Sequence, residues 1–486
     1  MRKKTKIVAT ISDFNCEVSF LQKLFDNGMN VVRINTAHAS FEGAKKVIEN
    51  VRKVSDKIAL LMDTKGPEIR TRPLPMEVKV VEGQLIKIAG KLKEDSTKDL
   101  IQVNYKDFVE QIPENSKILI DDGALELLVI EKHENYLQCK VMNSGVIQGK
   151  KSVNIPKAHM MLPALSLKDI DFLHFAVEQK LDFIAHSFVR KKEDIEAVQK
   201  VLDEKSSSIK IIAKIENEEG VKNIEEILDI AYGVMVARGD LAIEISPEKL
   251  PGVQKRIVAM AIRKRRPVIV ATQMLHSMIE NPRPTRAEVN DVANAIYDGT
   301  DAIMLSGETA YGKYPVEAVS MMKRIAKEVE TSIIHSKSKL EAKALARKSQ
   351  KALSSSDVVA AHLIKSGIDI SEKLNVKAII SDTTSGRSIR ALAAYRSRHT
   401  IYAQCYSKQT MRKLALSYGV HVDYIKTPKS HEMFLKSALN NLIHKKAFKK
   451  ENLVTIIAGN YGRAAGVSYI KVATVENLLH GEDDSI

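Results

Sequence analysis

Between residues 5 and 330 a β-branched apolar run followed by an amphipathic stretch recurs eight times, and this rhythm restricts the fold more than any other feature of the chain. The runs are Lys6–Ile11, Asn30–Asn35, Ile58–Thr64, Asp182–Phe188, Lys210–Glu216, Gly233–Asp240, Pro267–Gln273 and Asp301–Gly307. Segments such as Lys192–Lys205, Glu219–Ile230, Val253–Arg265, Arg286–Tyr297 and Pro315–Glu330 follow most of them, with apolar residues at helical spacing. Continuous apolar strands alternating with helices form a parallel sheet covered on both faces, and eight repeats match an α/β fold of the closed (β/α)8 TIM-barrel type better than an open sheet. In that barrel the active groups sit at the carboxyl ends of the strands. The polar residues fall there: Arg33 and Asn35, Asp63 and Thr64, Ser187, Lys214 and Glu216, Arg238 and Asp240, Thr272, and Ser306 with Glu308.

The rhythm breaks once. From Arg70 to about Pro156, short alternating runs (Glu77–Val81, Gln84–Ala89, Lys117–Ile120, Leu125–Ile130, Tyr136–Val141) are separated by Gly, Asn and Asp, which predicts a small β-barrel inserted after the third strand as a lid over the mouth. After Glu330 a Lys/Ser/Ala-rich connector leads to a second α/β rhythm, with strands at Val376–Ser381, Thr400–Tyr406, Val420–Ile425 and Leu453–Ala458. The expected division is residues 1–70 and 157–338 for the catalytic barrel, 71–156 for the lid and 339–486 for a C-terminal α/β effector-binding domain.

No apolar run approaches the roughly 18–20 residues needed to cross a bilayer, and the basic start leads into a strand-like segment, so the expected location is cytoplasmic, with no membrane partner. Cys16, Cys139 and Cys405 are too far apart for a disulfide framework or a zinc site. The net charge of +15 is spread along the chain and aromatics are only 5%, which speaks against nucleic acid and for a field that attracts anionic metabolites.

Residues two apart on a strand share a face, so Lys214 and Glu216 point together, as do Arg238 and Asp240. On neighbouring strands these would bring two carboxylates and two cations into one pocket, suited to a divalent metal and a phosphorylated substrate. Two interior salt bridges are the plainer alternative. Lys214 could form an imine, as in barrel aldolases, but a carboxylate two residues away keeps it protonated and favours an electrostatic role. Asn35 and Thr64 could be helix caps; with Asp63 they could instead make a hard oxygen cage for a cation. In the last domain, Ser381-Asp-Thr-Thr-Ser-Gly-Arg387-Ser388 runs from a strand into a hydroxyl- and glycine-rich turn that opens a helix, where free N–H groups favour a phosphate.

These residues carry a resemblance. Asp63-Thr-Lys-Gly-Pro-Glu-Ile-Arg70-Thr, Ile120-Asp-Asp-Gly123, Lys214-Ile-Glu-Asn-Glu-Glu-Gly220, Met235-Val-Ala-Arg-Gly-Asp-Leu241, Ala271-Thr-Gln-Met274, Asn281-Pro-Arg-Pro-Thr-Arg-Ala-Glu288, Asp291-Val-Ala-Asn294 and Ile303-Met-Leu-Ser-Gly-Glu-Thr309 together resemble the pyruvate kinase family nearly end to end. The resemblance implies phosphoryl transfer from phosphoenolpyruvate to ADP, giving pyruvate and ATP, the last step of glycolysis. It implies that Lys214 and Arg33 face the phosphoryl group, that Glu216 and Asp240 hold Mg²⁺ or Mn²⁺, and that Gly239, Asp240 and Thr272 grip the substrate carboxylate, with Thr272 near the face where the enolate is protonated. Asn35, His38, Arg70 and Lys151 would line the nucleotide side. Asn35, Asp63 and Thr64 would hold K⁺, and Thr383, Thr384, Ser385, Gly386, Arg387 and Ser388 would bind a phosphorylated allosteric effector, closed over by the loop from Gly459 to Gly466. The same resemblance implies a homotetramer.

The sequence departs from the family pattern at Ala37, where a serine supplies the fourth K⁺ ligand, and at Ser12-Asp13-Phe14, Ala39 and Ala242. The first departure predicts a weakened K⁺ dependence; those at Ser12–Phe14 and Ala39 lie at the nucleotide edge. Two rival functions are an aldolase using Lys214 as imine former and a silent sensor that binds sugar phosphate at Ser385 and nucleic acid through its basic surface.

Overall fold

The computed structural model describes residues 2–37, 39–90, 94–156, 158, 160–335, 355–428, 430–459 and 466–480. Eight parallel strands close a barrel in chain order: Lys6–Thr10, Val31–Asn35, Ala59–Asp63, Phe183–His186, Lys210–Ile215, Gly233–Ala237, Val268–Ala271 and Ala302–Leu305. The first strand pairs with both the second and the last, which is the closure. All eight lie within the apolar runs expected from sequence.

Strand alternation divides the apolar residues into two sets. Val8, Val31, Leu61, Ala185, Ile212, Met235 and Ala271 pack together inside the barrel, while Ile7, Val32, Leu60, Ile184, Ile211, Val234 and Val268 join the core beneath the surrounding helices. Continuing the interior set two residues toward the mouth reaches Thr10, Arg33, Asp63, Ser187 and Lys214. The parity that fills the core with aliphatic groups therefore aims these polar groups at one place. Helix starts are well marked: Ser166 with Asp169 and Thr285 with Glu288 each form a reciprocal capping box.

The insertion after the third strand holds a six-stranded sheet and a two-stranded one. The expected lid strands are present, together with three short ones that alternation did not reveal: Ile101–Val103, Gly145–Ile147 and Val153–Asn154. Two segments hold it to the barrel, Arg70 bridging to Ser152 and Val153 N–H donating to Ile69 O.

The C-terminal sheet contains the four expected strands, Ala378–Thr383, Thr400–Cys405, Val420–Tyr424 and Leu453–Gly459, plus an antiparallel edge strand, Val467–Thr474. This domain plugs the amino-terminal end of the barrel. Ala415 and Leu416 join the barrel's interior cluster, Arg396 forms a buried bidentate pair with Asp301, and Arg412 bonds Asp182 at 2.7 Å. No helix of the described residues is long and apolar enough to cross a membrane.

Candidate active site

Lys214 is the centre of the mouth. Its ammonium lies 2.9 Å from Glu216 and 3.3 Å from Asp63, and donates to Ser187 Oγ at 2.7 Å. Burial alone would lower its pKa, but Asp63 and Glu216 outweigh this and hold it well above the ordinary lysine value. An amine so held in its protonated form is a fixed cation and a poor imine former, which speaks against the aldolase alternative.

Asp63 bonds Arg33 as well as Lys214, and Arg33 also donates to Thr10 Oγ1 at 3.0 Å. Burial opposes the carboxylate's charge, but these two cations depress its pKa. One of its oxygens, Oδ1, is buried with no hydrogen-bond partner. Thr64 offers its carbonyl to Ser187 Oγ at 2.7 Å, and its own hydroxyl lies 3.1 Å from His186 Nδ1. Asn35 Oδ1 accepts from Ala37 N–H at 3.2 Å. The unpartnered Asp63 oxygen beside these acceptors fits a monovalent cation.

Glu216 Oε2 accepts from Phe188 N–H at 2.7 Å, so this carboxylate is oriented from both sides. The Asp240 carboxylate, in the first turn of the helix Arg238–Glu244, makes no hydrogen bond or ion pair among the described residues. Burial first, and then the charge of Glu216, push its pKa up to about 7, with Asp122 and Glu68 adding to the effect. A carboxylate without a partner, pushed toward its neutral form by burial and by Glu216 beside it, fits with Glu216 a divalent cation, which ordinarily takes one or two carboxylates and leaves its other positions to substrate and water. Among the described residues no group of three or more His, Cys, Asp or Glu is arranged for a metal, so a two-carboxylate site is the available one.

The expectation that Arg238 and Asp240 share a strand face is corrected by the fold. The strand ends at Ala237, and Arg238 opens the helix Arg238–Glu244. Only Asp240 faces the mouth. The Arg238 guanidinium turns away and donates to Ala271 O at 3.2 Å and Thr272 O at 2.7 Å, and pairs with Asp291 at 2.6 Å. It thereby holds a turn in which Thr272 and Gln273 have φ of 68° and 50°, a left-handed backbone that a β-branched residue rarely adopts. That turn presents the Thr272 hydroxyl, which accepts from Gly239 N–H at 2.8 Å and donates to Ala271 O at 2.6 Å.

On the proposed nucleotide side, Arg70 pairs with Glu68 at 2.6 Å and Lys151 with Asp121 at 3.0 Å, both at the lid's edge. His38 lies outside the described residues. A cleft of about 310 Å³ between lid and mouth is lined by Arg70, Asp122, Asn154, Phe188, Asp240 and Glu244, among others. Sequence reasoning did not assign Asp122, Glu244 or the anchoring role of Ser187; the usable signal for Ser187 was its position one turn of parity beyond Ala185. Ser306 and Glu308 are structural: Glu308 accepts from Leu275 and Ser306 N–H groups.

At the far end of the chain, Gly386 with φ of 80° precedes the helix Arg387–Ala394, Thr383 Oγ1 accepts from Gly386 N–H at 2.8 Å, and Ser385 and Arg387 flank the turn. Residues 460–465 of the loop expected to cover it lie outside the described residues.

This fold and site define a TIM-barrel enzyme whose mouth gathers a fixed ammonium, a guanidinium and several carboxylates. Comparison with known proteins is specific about which. Residues 2–319 match the family model described as pyruvate kinase, barrel domain, and residues 361–473 match pyruvate kinase, alpha/beta domain. A pyruvate kinase from Borreliella burgdorferi is 45% identical over 99% of both chains, and one from Bacillus licheniformis is 40% identical over 98% of this chain and 81% of its own. A crystal structure of a pyruvate kinase from Cryptosporidium parvum superposes with a TM-score of 0.91 at 33% identity, over 97% of this chain and 96% of that one. The chain belongs to the pyruvate kinase family.

Proposed function

We infer that this chain moves the phosphoryl group of phosphoenolpyruvate to ADP, and that Lys214, Arg33, Glu216, Asp240 and Thr272 carry the reaction. The observation that supports this most directly is the buried Lys214 ammonium, held by Asp63, Glu216 and Ser187 at the end of the barrel where the Asp240 carboxylate also lies.

The P–O bond to the enol oxygen breaks and a P–O bond to an oxygen of the ADP β-phosphate forms. In a loose transition state the protein's work is positioning and charge stabilisation, so no covalent nucleophile is needed. Lys214 and Arg33 present positive charge to the equatorial oxygens. Gly239 and Asp240 N–H groups and the Thr272 hydroxyl hold the carboxylate, which requires Gly239 N–H to exchange its bond with Thr272 for one to substrate. A divalent cation on Glu216 and Asp240 would neutralise substrate oxygens and lower the barrier to charge transfer. The enolate left behind takes a proton at carbon, delivered on the side where Thr272 lies.

Asn35, Arg70, Lys151 and His38 are assigned to the nucleotide, and Asn35, Asp63 and Thr64 to K⁺, with the ligand supplied elsewhere in the family by serine missing at Ala37. The segment Thr383 to Ser388 is assigned to a phosphorylated allosteric effector. The domain division at residues 70, 156 and 338, a homotetramer and a cytoplasmic location complete the proposal. The test is a coupled assay for pyruvate with and without ADP, Mg²⁺ and K⁺, on the parent and Lys214→Met. Removing one key transition-state electrostatic group should lower turnover by about 10²- to 10³-fold, and near-parental turnover would overturn the assignment.

A further inference from the structure

Behind the wall of the mouth sits a buried imidazole to which the transfer chemistry assigns no part. His186 closes the fourth barrel strand and is 1% exposed. Its two predecessors fix its direction: Ala185 packs inside the barrel and Ile184 beneath the surrounding helices, so His186, two residues beyond Ile184, lies on the helix side of the wall. It does not face a substrate in the mouth. Its ring reaches the site from behind, with Nδ1 3.1 Å from the hydroxyl of Thr64 at the end of the neighbouring strand.

The hydrogen bonds around that hydroxyl leave it one orientation. Ser187 N–H donates to Thr64 Oγ1 at 3.0 Å, Ser187 Oγ donates to the Thr64 carbonyl at 2.7 Å, and Thr64 N–H donates to Ala185 O at 2.9 Å. Thr64 Oγ1 thus gives a lone pair to Ser187, and among the described residues the one acceptor in reach of its proton is His186 Nδ1. This bonding assigns a neutral imidazole with its proton on Nε2. Burial lowers its pKa to about 4 against the opposing charges of Asp194 and Asp169, with Lys214 and Arg190 assisting. Those two carboxylates are engaged elsewhere, Asp194 by Arg190 at 3.0 Å and Asp169 by Lys65 N–H at 2.8 Å.

Two groups of the mouth hang on this arrangement. With its own proton committed to the Thr64 carbonyl, Ser187 Oγ turns a lone pair to Lys214 Nζ, which donates to it at 2.7 Å. The next residue, Phe188, is left-handed at φ of 55° and donates its N–H to Glu216 at 2.7 Å. One strained turn therefore seats both the ammonium and the carboxylate beside it. The chain after Thr64 presses on that turn: a Cβ on Gly66 would lie 3.0 Å from Ser187 Cβ and 2.9 Å from the Phe188 ring, so a shift of Thr64 moves Ser187 with it. We propose, resting on the assignment of Lys214 to the phosphoryl group, that His186 is a positioning residue which holds the Lys214 ammonium in place through Thr64 and Ser187.

The test is a double-mutant cycle in the full chain, read by steady-state pyruvate formation at saturating Mg²⁺ and K⁺, with thermal melting as the check on folding. His186→Leu fills the space of the ring without offering an acceptor, and should lower kcat by about 10- to 100-fold, the scale for a small misplacement of a reacting group, while the KM for ADP stays within about twofold. His186→Asn, whose amide oxygen can stand where Nδ1 stood, should recover most of the loss. In a Lys214→Met background the same His186→Leu change should cost less than about twofold more, because the group it positions is gone. A merely structural role predicts the full loss in both backgrounds. Additive effects, a folded His186→Leu enzyme with parental kcat, or no recovery in His186→Asn would each overturn the proposal alone. Near-parental turnover of Lys214→Met would overturn the catalytic assignment and the role of His186 with it. If the leucine variant does not fold, His186→Ala takes its place in the same cycle.

Discussion

Replacing Arg238 by methionine tests whether the substrate-gripping turn is held by a side chain that never touches the substrate. Arg238 makes charge-assisted hydrogen bonds to two carbonyls, Ala271 and Thr272, and such bonds contribute about 1.5–3 kcal/mol each. The turn they hold contains two left-handed non-glycine residues, each storing about 1–3 kcal/mol. Without the clamp the turn relaxes, and a loss of even 1.4–2.8 kcal/mol of geometric preference corresponds to about 10- to 100-fold in kcat/KM. Asp291, left without its partner, is 36% exposed at its side chain, so water takes over its solvation and the fold should lose little. The assay is steady-state kinetics with each substrate varied in turn. The loss should fall on kcat and on the KM for phosphoenolpyruvate, with the KM for ADP unchanged, and Arg238→Lys should recover part of it through one carbonyl contact. A folded Arg238→Met enzyme with kcat/KM within about twofold of the parent would refute the reasoning.

Asp240 ionises with difficulty in the fold, its pKa lying near 7 against an ordinary carboxylate value. Between about pH 4 and 7 the native chain therefore holds more protons than the unfolded one, so metal-free stability should fall as pH rises through that window, by on the order of 4 kcal/mol. Asp240→Asn should flatten the profile in denaturant titrations, and Mn²⁺ should release about one proton on binding near pH 6, measured by calorimetry in buffers of different ionisation heat. Arg396→Ala leaves the buried Asp301 carboxylate without its cation, and should cost about 3–5 kcal/mol in urea unfolding. Exchanging K⁺ for a large organic cation should reduce activity without abolishing it, and full activity after the exchange would defeat the proposed role of the free Asp63 oxygen.

The barrel was legible in the sequence because its strands are β-branched runs buried on both faces, a pattern that depends on local composition alone. The short lid strands were not. Gly145–Ile147 pairs with Val78–Val80, more than sixty residues away, and three residues carry too little alternation to register without that partner. The edge strand Val467–Thr474 escaped for a related reason: paired on one side only, it is half-exposed and mixed in polarity. Lys214 with Glu216 was read correctly as a facing pair because both obey strand parity. Arg238 with Asp240 was not, because the strand stops at Ala237 and the next residues follow a helical course.

Residue order alone determined the eight-fold rhythm, the strand ends on which the chemistry sits and the family to which their motifs point. Only the closed structure decided which polar groups meet: that Asp63 bridges Arg33 and Lys214, that Ser187 anchors the ammonium, and that Arg238 clamps Thr272. The reason is the range of the forces. Hydrophobic periodicity and turn propensity act over a few neighbours along the chain, whereas ion pairing and desolvation depend on distances through space that exist only after the barrel has closed.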